Sequence, residues 1–231
     1  MIFSNMIDWL TNGANWQGPE GIPTRVGEHV YYAVLAVLVA SAVAVPLGLF
    51  VGHTGRGAVF VVAISNALRA LPTLGLVTLF VLLLGLGDWP VLIGLIILAV
   101  PPILSGTYAG VQDVDRGVID AARGMGMTGW QRLWKVEVPN ALPLLIGGVR
   151  SAVLQVVATV AVAAFVGLGG LGRILLSGQK TYKFEVMLGA AVLIALLAVV
   201  LDQIIAAIQR LVVPKGLTVA AKAAAPTRGG K

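Results

Sequence analysis

From His29 to Gly52 the chain runs for about 24 residues without an acidic residue, Lys or Arg, some 36 Å if helical, which is enough to cross a hydrocarbon core of about 30 Å. Four more apolar runs follow, at 58–86, 91–110, 141–166 and 184–208. Hydrophobic residues make up 58% of the chain and charged residues 11%, with a mean hydropathy of +0.95. A water-soluble domain of this length could not hide that much apolar surface, so the expectation is an all-α polytopic membrane bundle of about five transmembrane helices. The absence of Cys excludes a disulfide framework and thiolate metal sites. The net charge of +6 is scattered over loops and the tail, not striped along one face, which argues against nucleic acid as a partner.

The apolar runs divide the chain. Residues 1–27 are polar and glycine-rich, with Trp9 and Trp16, and lack a basic stretch followed by an apolar one. They read as an interfacial lead-in, not a cleavable signal. A transmembrane domain spans 28–212, and 213–231 reads as a disordered cytoplasmic tail. Pro46 is expected to kink the first span. The run 58–86 is about 29 residues, roughly 43 Å as one helix and too long for a single upright span, so a break is expected at Pro72. Thr73 to Leu86 would then cross, Gly87 to Pro90 would turn, and Pro101-Pro102 would interrupt the next span. A glycine-rich loop is expected from Gly167 to Lys183. Five crossings put the termini on opposite sides; splitting 58–86 into two would make six.

One polar stretch stands apart, Asp120 to Pro139, within a segment 113–139. Asp115 can cap a short helix through Val118, Ile119, Ala121 and Ala122, which Gly124 and Gly126 would break. Thr128 with Gln131 three residues on is a capping box for a second helix, which Pro139 is expected to end. Two short helices between spans form a knob suited to a groove on a soluble partner. Placing it in the cytoplasm puts Arg56, Arg116, Arg123, Arg132, Lys135, Arg210, Lys215, Lys222, Arg228 and Lys231 inside, against Arg25, Arg173, Lys180 and Lys183 outside. That asymmetry obeys the positive-inside rule, with the N-terminus outside and the C-terminus cytoplasmic.

Several residues inside the spans are candidates for a pore or gate. Arg69, beside Asn66 and the Pro72 break, fits either a gate or a side chain snorkelling to headgroups. Arg150 favours snorkelling, and Asp202 fits pairing with a neighbouring basic group. Gln155 and Thr159, four apart, could line a polar passage or hydrogen-bond a neighbouring helix. The run Gly167 to Gly172 is no phosphate loop, since no strand precedes it and no Lys-Ser/Thr follows. Gly169 and Gly170 suit tight packing or a bending gate. His29 and His53 read as isolated, no His/Asp/Glu group has metal-ligand or acid–base spacing, and an intramembrane hydrolase finds no support.

Asp120-Ala121-Ala122, three residues, Gly126, nine residues, then Val136-Glu137-Val138-Pro139 resembles the EAA signature of permease subunits of binding-protein-dependent ABC importers. Asp and two Val residues stand where the family has Glu, Ile and Leu. The resemblance extends through GEHVYYAVLAV, ALRALPTLGL, PPILSGTYAGV, AAFVGLGGLGRIL and VVPKGL, from about Gly27 to Leu217, and is nearest the osmoprotectant permeases for glycine betaine, choline and carnitine. Methionine permeases are similar over the core, but fit the start and the PKGL end less well. The resemblance implies a coupling helix carried by Asp120, Ala121, Ala122, Arg123, Gly124, Gly126 and Pro139, seated in a cytoplasmic ATPase. It further implies a second permease subunit, alike or paralogous, and an extracytoplasmic solute-binding protein. No Walker-type Gly-Lys-Ser/Thr is present, so the chain is expected to be no enzyme, with ATP and Mg bound by the partner ATPase. A channel would not need the signature; a secondary transporter would show inverted repeats and an intramembrane coupling carboxylate.

Overall fold

The computed structural model describes residues 2–213, the side chain of Arg69 excepted. The segment read as a disordered tail thus lies, beyond Val213, outside the described residues, as does any gating contact of Arg69. The described residues hold helices and turns only. Four helices are long and apolar enough to cross a membrane: α2 (Ile22–Thr54), α5 (Asp88–Gln112), the continuous rod Gly129–Val166, and α10 (Phe184–Val212). Between α2 and α5 lie α3 (Ala58–Ala70) and α4 (Thr73–Leu84), bent by 90°. Taken as one bent span they make a fifth.

That bend falls at Pro72, whose lack of an N–H and steric demand on Leu71 hold both residues in extended backbone. With 12 residues, α4 is only about 18 Å long and cannot span by itself. The first long helix begins at Ile22, ahead of the apolar run at His29. Pro23 suits a first helical turn, and Arg25 is neutralised by Glu20 and Glu28, so charge does not stop the helix there. The lead-in is itself structured: α1 (Ile2–Thr11) precedes a short 3₁₀ turn capped by Asn12, and Trp9 packs on Gly189 of α10.

α5 is the axis of the bundle. In its apolar window 61% of residues are buried, against 11% in α10. It runs unbroken through Pro101 and Pro102, contrary to the expected interruption. Both prolines are buried, and α8 (Val138–Ala163) lies against the carbonyl of Pro102, so packing holds the helix where ladder hydrogen bonds are lost. The approach is close: a Cβ on Gly148 would sit 2.6 Å from the Pro102 oxygen, and one on Gly106 would sit 2.7 Å from the Gly148 Cα. Small residues at such a seam let two backbones meet, which is how helices gain dispersion energy in lipid.

Two further expectations are corrected. Pro139 does not end a helix: it lies in the first turn of α8, and Leu133–Glu137 forms a π-type turn joining that helix to α7 (Gly129–Arg132). An α-turn would press the proline ring on the carbonyl four residues back; the wider turn relieves this. The glycine-rich stretch is not a plain loop, since α9 (Leu171–Lys180) follows Gly170. Its Leu171 is buried while Lys180 is exposed, the pattern of an amphipathic surface helix that charge counting alone does not reveal.

Candidate coupling and gating sites

The polar knob at one end of the bundle is built locally. Asp115 accepts from the N–H groups of Gly117 (2.6 Å) and Val118 (3.3 Å), starting α6 (Arg116–Gly124). Ala122 is buried beneath it, while Ala121 and Gly124 are exposed. Asp120 and Arg123 face solvent as a 3.3 Å ion pair, worth little for stability. Gly126 reverses the chain at φ +79°, and Thr128 and Gln131 close the reciprocal capping box that starts α7. Exposed around this turn are Met125, Trp130 and Trp134, the two indoles meeting edge to face at 5.5 Å. These apolar side chains escaped the sequence reading, though two Trp residues four apart on a predicted helix are a legible stripe. Apolar groups beside a polar helix turn suit a groove on a soluble protein.

Beneath the knob lies a buried charge cluster. Glu137 is 3% exposed, and its two oxygens accept from Arg132 Nε (2.8 Å) and His53 Nδ1 (2.5 Å). His53 ends α2 and is not isolated. His29 is not isolated either: it is fully buried and donates from Nε2 to the Val157 carbonyl at 3.0 Å.

At the opposite end the glycine run sits on α2. Gly170, at φ +88°, donates its N–H to Glu28 at 2.7 Å, and a Cβ on Gly169 would lie 2.6 Å from that carboxylate. Arg173 donates to the carbonyls of Leu168 and Gly167 and so pins the run from its other side.

Between these ends, Asn66 and Pro72 are exposed in the single chain, Gln155 is half-buried, and Thr159 is buried with its hydroxyl donating to the Gln155 carbonyl at 2.8 Å. Among the described residues, no side-chain hydrogen bond joins these four positions to another helix. Arg150 does not snorkel. It forms a two-bond pair with Asp202 of α10, at 2.8 and 2.7 Å, which removes the need to reach headgroups. No group of three metal-ligating side chains occurs among the described residues.

Four long apolar helices, a glycine seam, a bent helix pair and a helical knob at one end define a polytopic membrane helical bundle. The chain belongs to the family described as the binding-protein-dependent transport system inner membrane component, whose pattern matches residues 44–215. It is 36% identical to the glycine betaine/carnitine/choline transport system permease protein OpuCB of Bacillus subtilis, over 84% of this chain and 89% of that one. The choline transport system permease protein OpuBB of the same organism is 34% identical, covering 82% of this chain and 88% of its own. The osmoprotectant import permease protein OsmW of Salmonella typhimurium is also 34% identical, covering 82% and 91%. Among solved structures, two inward-facing forms of the MetNI methionine ABC transporter match. One has a TM-score of 0.73 at 24% identity, covering 84% of this chain and 96% of that one; the other has 0.67 at 26%, covering 80% and 94%. The protein is thus a multi-pass inner-membrane permease component of a binding-protein-dependent transport system, and not itself an enzyme.

Proposed function

We propose that this permease moves a compatible solute inward, a quaternary amine of the glycine betaine, choline and carnitine class, driven by a separate ATPase. The observation that carries the reading is that OpuCB, OpuBB and OsmW, named for these solutes or for osmoprotectants, are 34–36% identical over more than four fifths of the chain. The coupling role falls to Asp120, Ala121, Ala122, Arg123, Gly124, Gly126 and Pro139, with Met125, Trp130 and Trp134 as apolar contacts. ATP and Mg belong to the ATPase. Closing of two ATPase subunits draws two coupling helices together and turns the cavity outward, and hydrolysis resets it. The second permease subunit is a copy or a paralogue, and the solute-binding protein sits at the Gly170 end. The lead-in then lies outside and the C-terminal tail in the cytoplasm, as the Lys and Arg distribution supports.

A quaternary ammonium is best held by an aromatic cage, and only 6% of this chain is aromatic. Recognition therefore rests mainly with the binding protein, while the permease offers a transient path through Asn66, Arg69, Pro72, Gln155 and Thr159, gated at Gly169 and Gly170. A second reading, methionine transport, has the likeness to the MetNI structures in its favour. Uptake into proteoliposomes holding permease, ATPase and binding protein separates the two. ATP-dependent accumulation of labelled glycine betaine, choline or carnitine is expected. Accumulation of methionine alone would move the substrate class, and ATP-independent leakage of all four would end the importer reading.

A further inference from the structure

Glu137 joins two stretches of chain that the sequence keeps 84 positions apart, and a third contact comes from its own segment. It lies in the π-type turn between α7 and α8, Arg132 comes from the end of α7, and His53 from the last turn of α2. Both carboxylate oxygens are engaged, at 2.8 and 2.5 Å. The other ring nitrogen of His53 faces α7, where a Cβ on Gly129 would stand 3.3 Å away. Beside it, Gln112 of α5 donates to the Gly52 carbonyl at 2.8 Å, so the inner end of α2 is held from two sides.

A buried carboxylate is costly unless fully paired, and an apolar side chain at the same place would usually serve stability as well. The pair also bridges a mechanically weak point. A π-type turn interrupts the regular α-helical ladder and is a recurrent site of helix kinks, so a push on α7 would bend the chain there before it moved α8. We propose that Glu137 is a positioning residue that locks the coupling segment to the inner end of α2. Displacement of α7 then carries α2 and α8 together and is not absorbed in the turn. This rests on the reading of the chain as an ATPase-driven permease. The opposite end of α2 carries Glu28, bound to Gly170, and His29, bound to α8. A tie at the inner end therefore delivers the same displacement to the glycine run.

The test uses the assembled complex in proteoliposomes, with whichever labelled solute the wild type accumulates. Glu137→Gln and His53→Gln are expected to co-purify with the ATPase and to hydrolyse ATP at near the wild-type rate in the presence of loaded binding protein. Solute moved per ATP should fall about tenfold, within the range of coupling free energies between sites. His53→Lys, which places an ammonium donor beside Glu137, should recover much of that loss. Hydrolysis and uptake falling together in proportion would make the cluster part of ATPase docking and overturn the proposal, as would no change in either. The chain has no Cys, so a spin-label pair at Thr54→Cys and the exposed Gln131→Cys of α7 reads the tie with Glu137 and His53 intact, even where the Gln variants fail to assemble. The label separation should be the same with and without bound nucleotide; a nucleotide-dependent change of several ångströms would overturn the tie. Failure of the wild type to accumulate any solute would count against the transport reading, with the label pair still scoring the tie.

Discussion

Among the described residues nothing beyond its chain neighbours lies within 4 Å of where a Cβ on Gly126 would stand, yet its φ is +79°. Asp is one of the few side chains that tolerates this left-handed backbone, so Gly126→Asp should leave the membrane-inserted fold intact while placing a carboxylate on the docking face. Loss of ATPase co-purification at unchanged permease yield is the expected result. An intact complex would move the docking surface elsewhere. Arg150 and Asp202 obey a different logic. Each satisfies the other between two apolar helices, so removing one strands its partner. Arg150→Met and Asp202→Leu should each lower the thermal midpoint in detergent, and the double variant should recover part of the loss. Additive losses would mean that the pair is not coupled.

Among the elements, the α5–α8 seam makes a sharp comparison between neighbouring glycines. Gly148→Ala forces a methyl to within 2.6 Å of the Pro102 oxygen and should cost about 1–3 kcal/mol of stability. Gly147→Ala meets nothing within 4 Å outside its own helical turn among the described residues, and should be neutral or stabilising by up to about 1 kcal/mol, since Ala is the better helix former. Equal thermal shifts for the two would remove the seam as a determinant of packing. The elements also divide by how far their causes lie apart in sequence. The Asp115 cap, the Thr128–Gln131 box and the Pro72 break are set by residues within four positions of one another, and each was legible. The continuity of α5 through Pro101-Pro102 depends on α8, more than forty residues further on, and was not. The same holds for Glu137, whose partner His53 lies 84 positions away; for Asp202 a basic partner was legible, but not that it is Arg150, 52 positions back. Pro139 misled because a proline ends a helix in isolation but is welcome in a first turn, and only the fold shows which case applies.

At the scale of the whole molecule, orientation follows from where basic residues are retained, and a chain without Cys allows a direct check. Trp16 and Met125 are both exposed, near opposite ends of the bundle. A membrane-impermeant maleimide should label Trp16→Cys in intact spheroplasts and Met125→Cys only in inside-out vesicles. The reverse pattern would invert the topology and detach the knob from any cytoplasmic ATPase. Thinly buried α10 attaches to this frame chiefly through α9, α8 and α1, with Trp9 seated on Gly189.

The rod from Gly129 to Val166 has 38 residues, about 57 Å at the helical rise, so one element reaches from the coupling face to the glycine run. Each residue in such a rod also sets a rotational phase of about 100°. Adding or removing one residue between Val138 and Ala163 would swing Val157 away from His29, and Gly148 out of its seam, while leaving both ends helical. This stretch should therefore tolerate substitutions far better than changes of length. The turn forced by Pro139 is the exception built into the rod. It takes up one residue more than an α-helical turn, and so sets the azimuth at which Trp130 and Trp134 meet the partner.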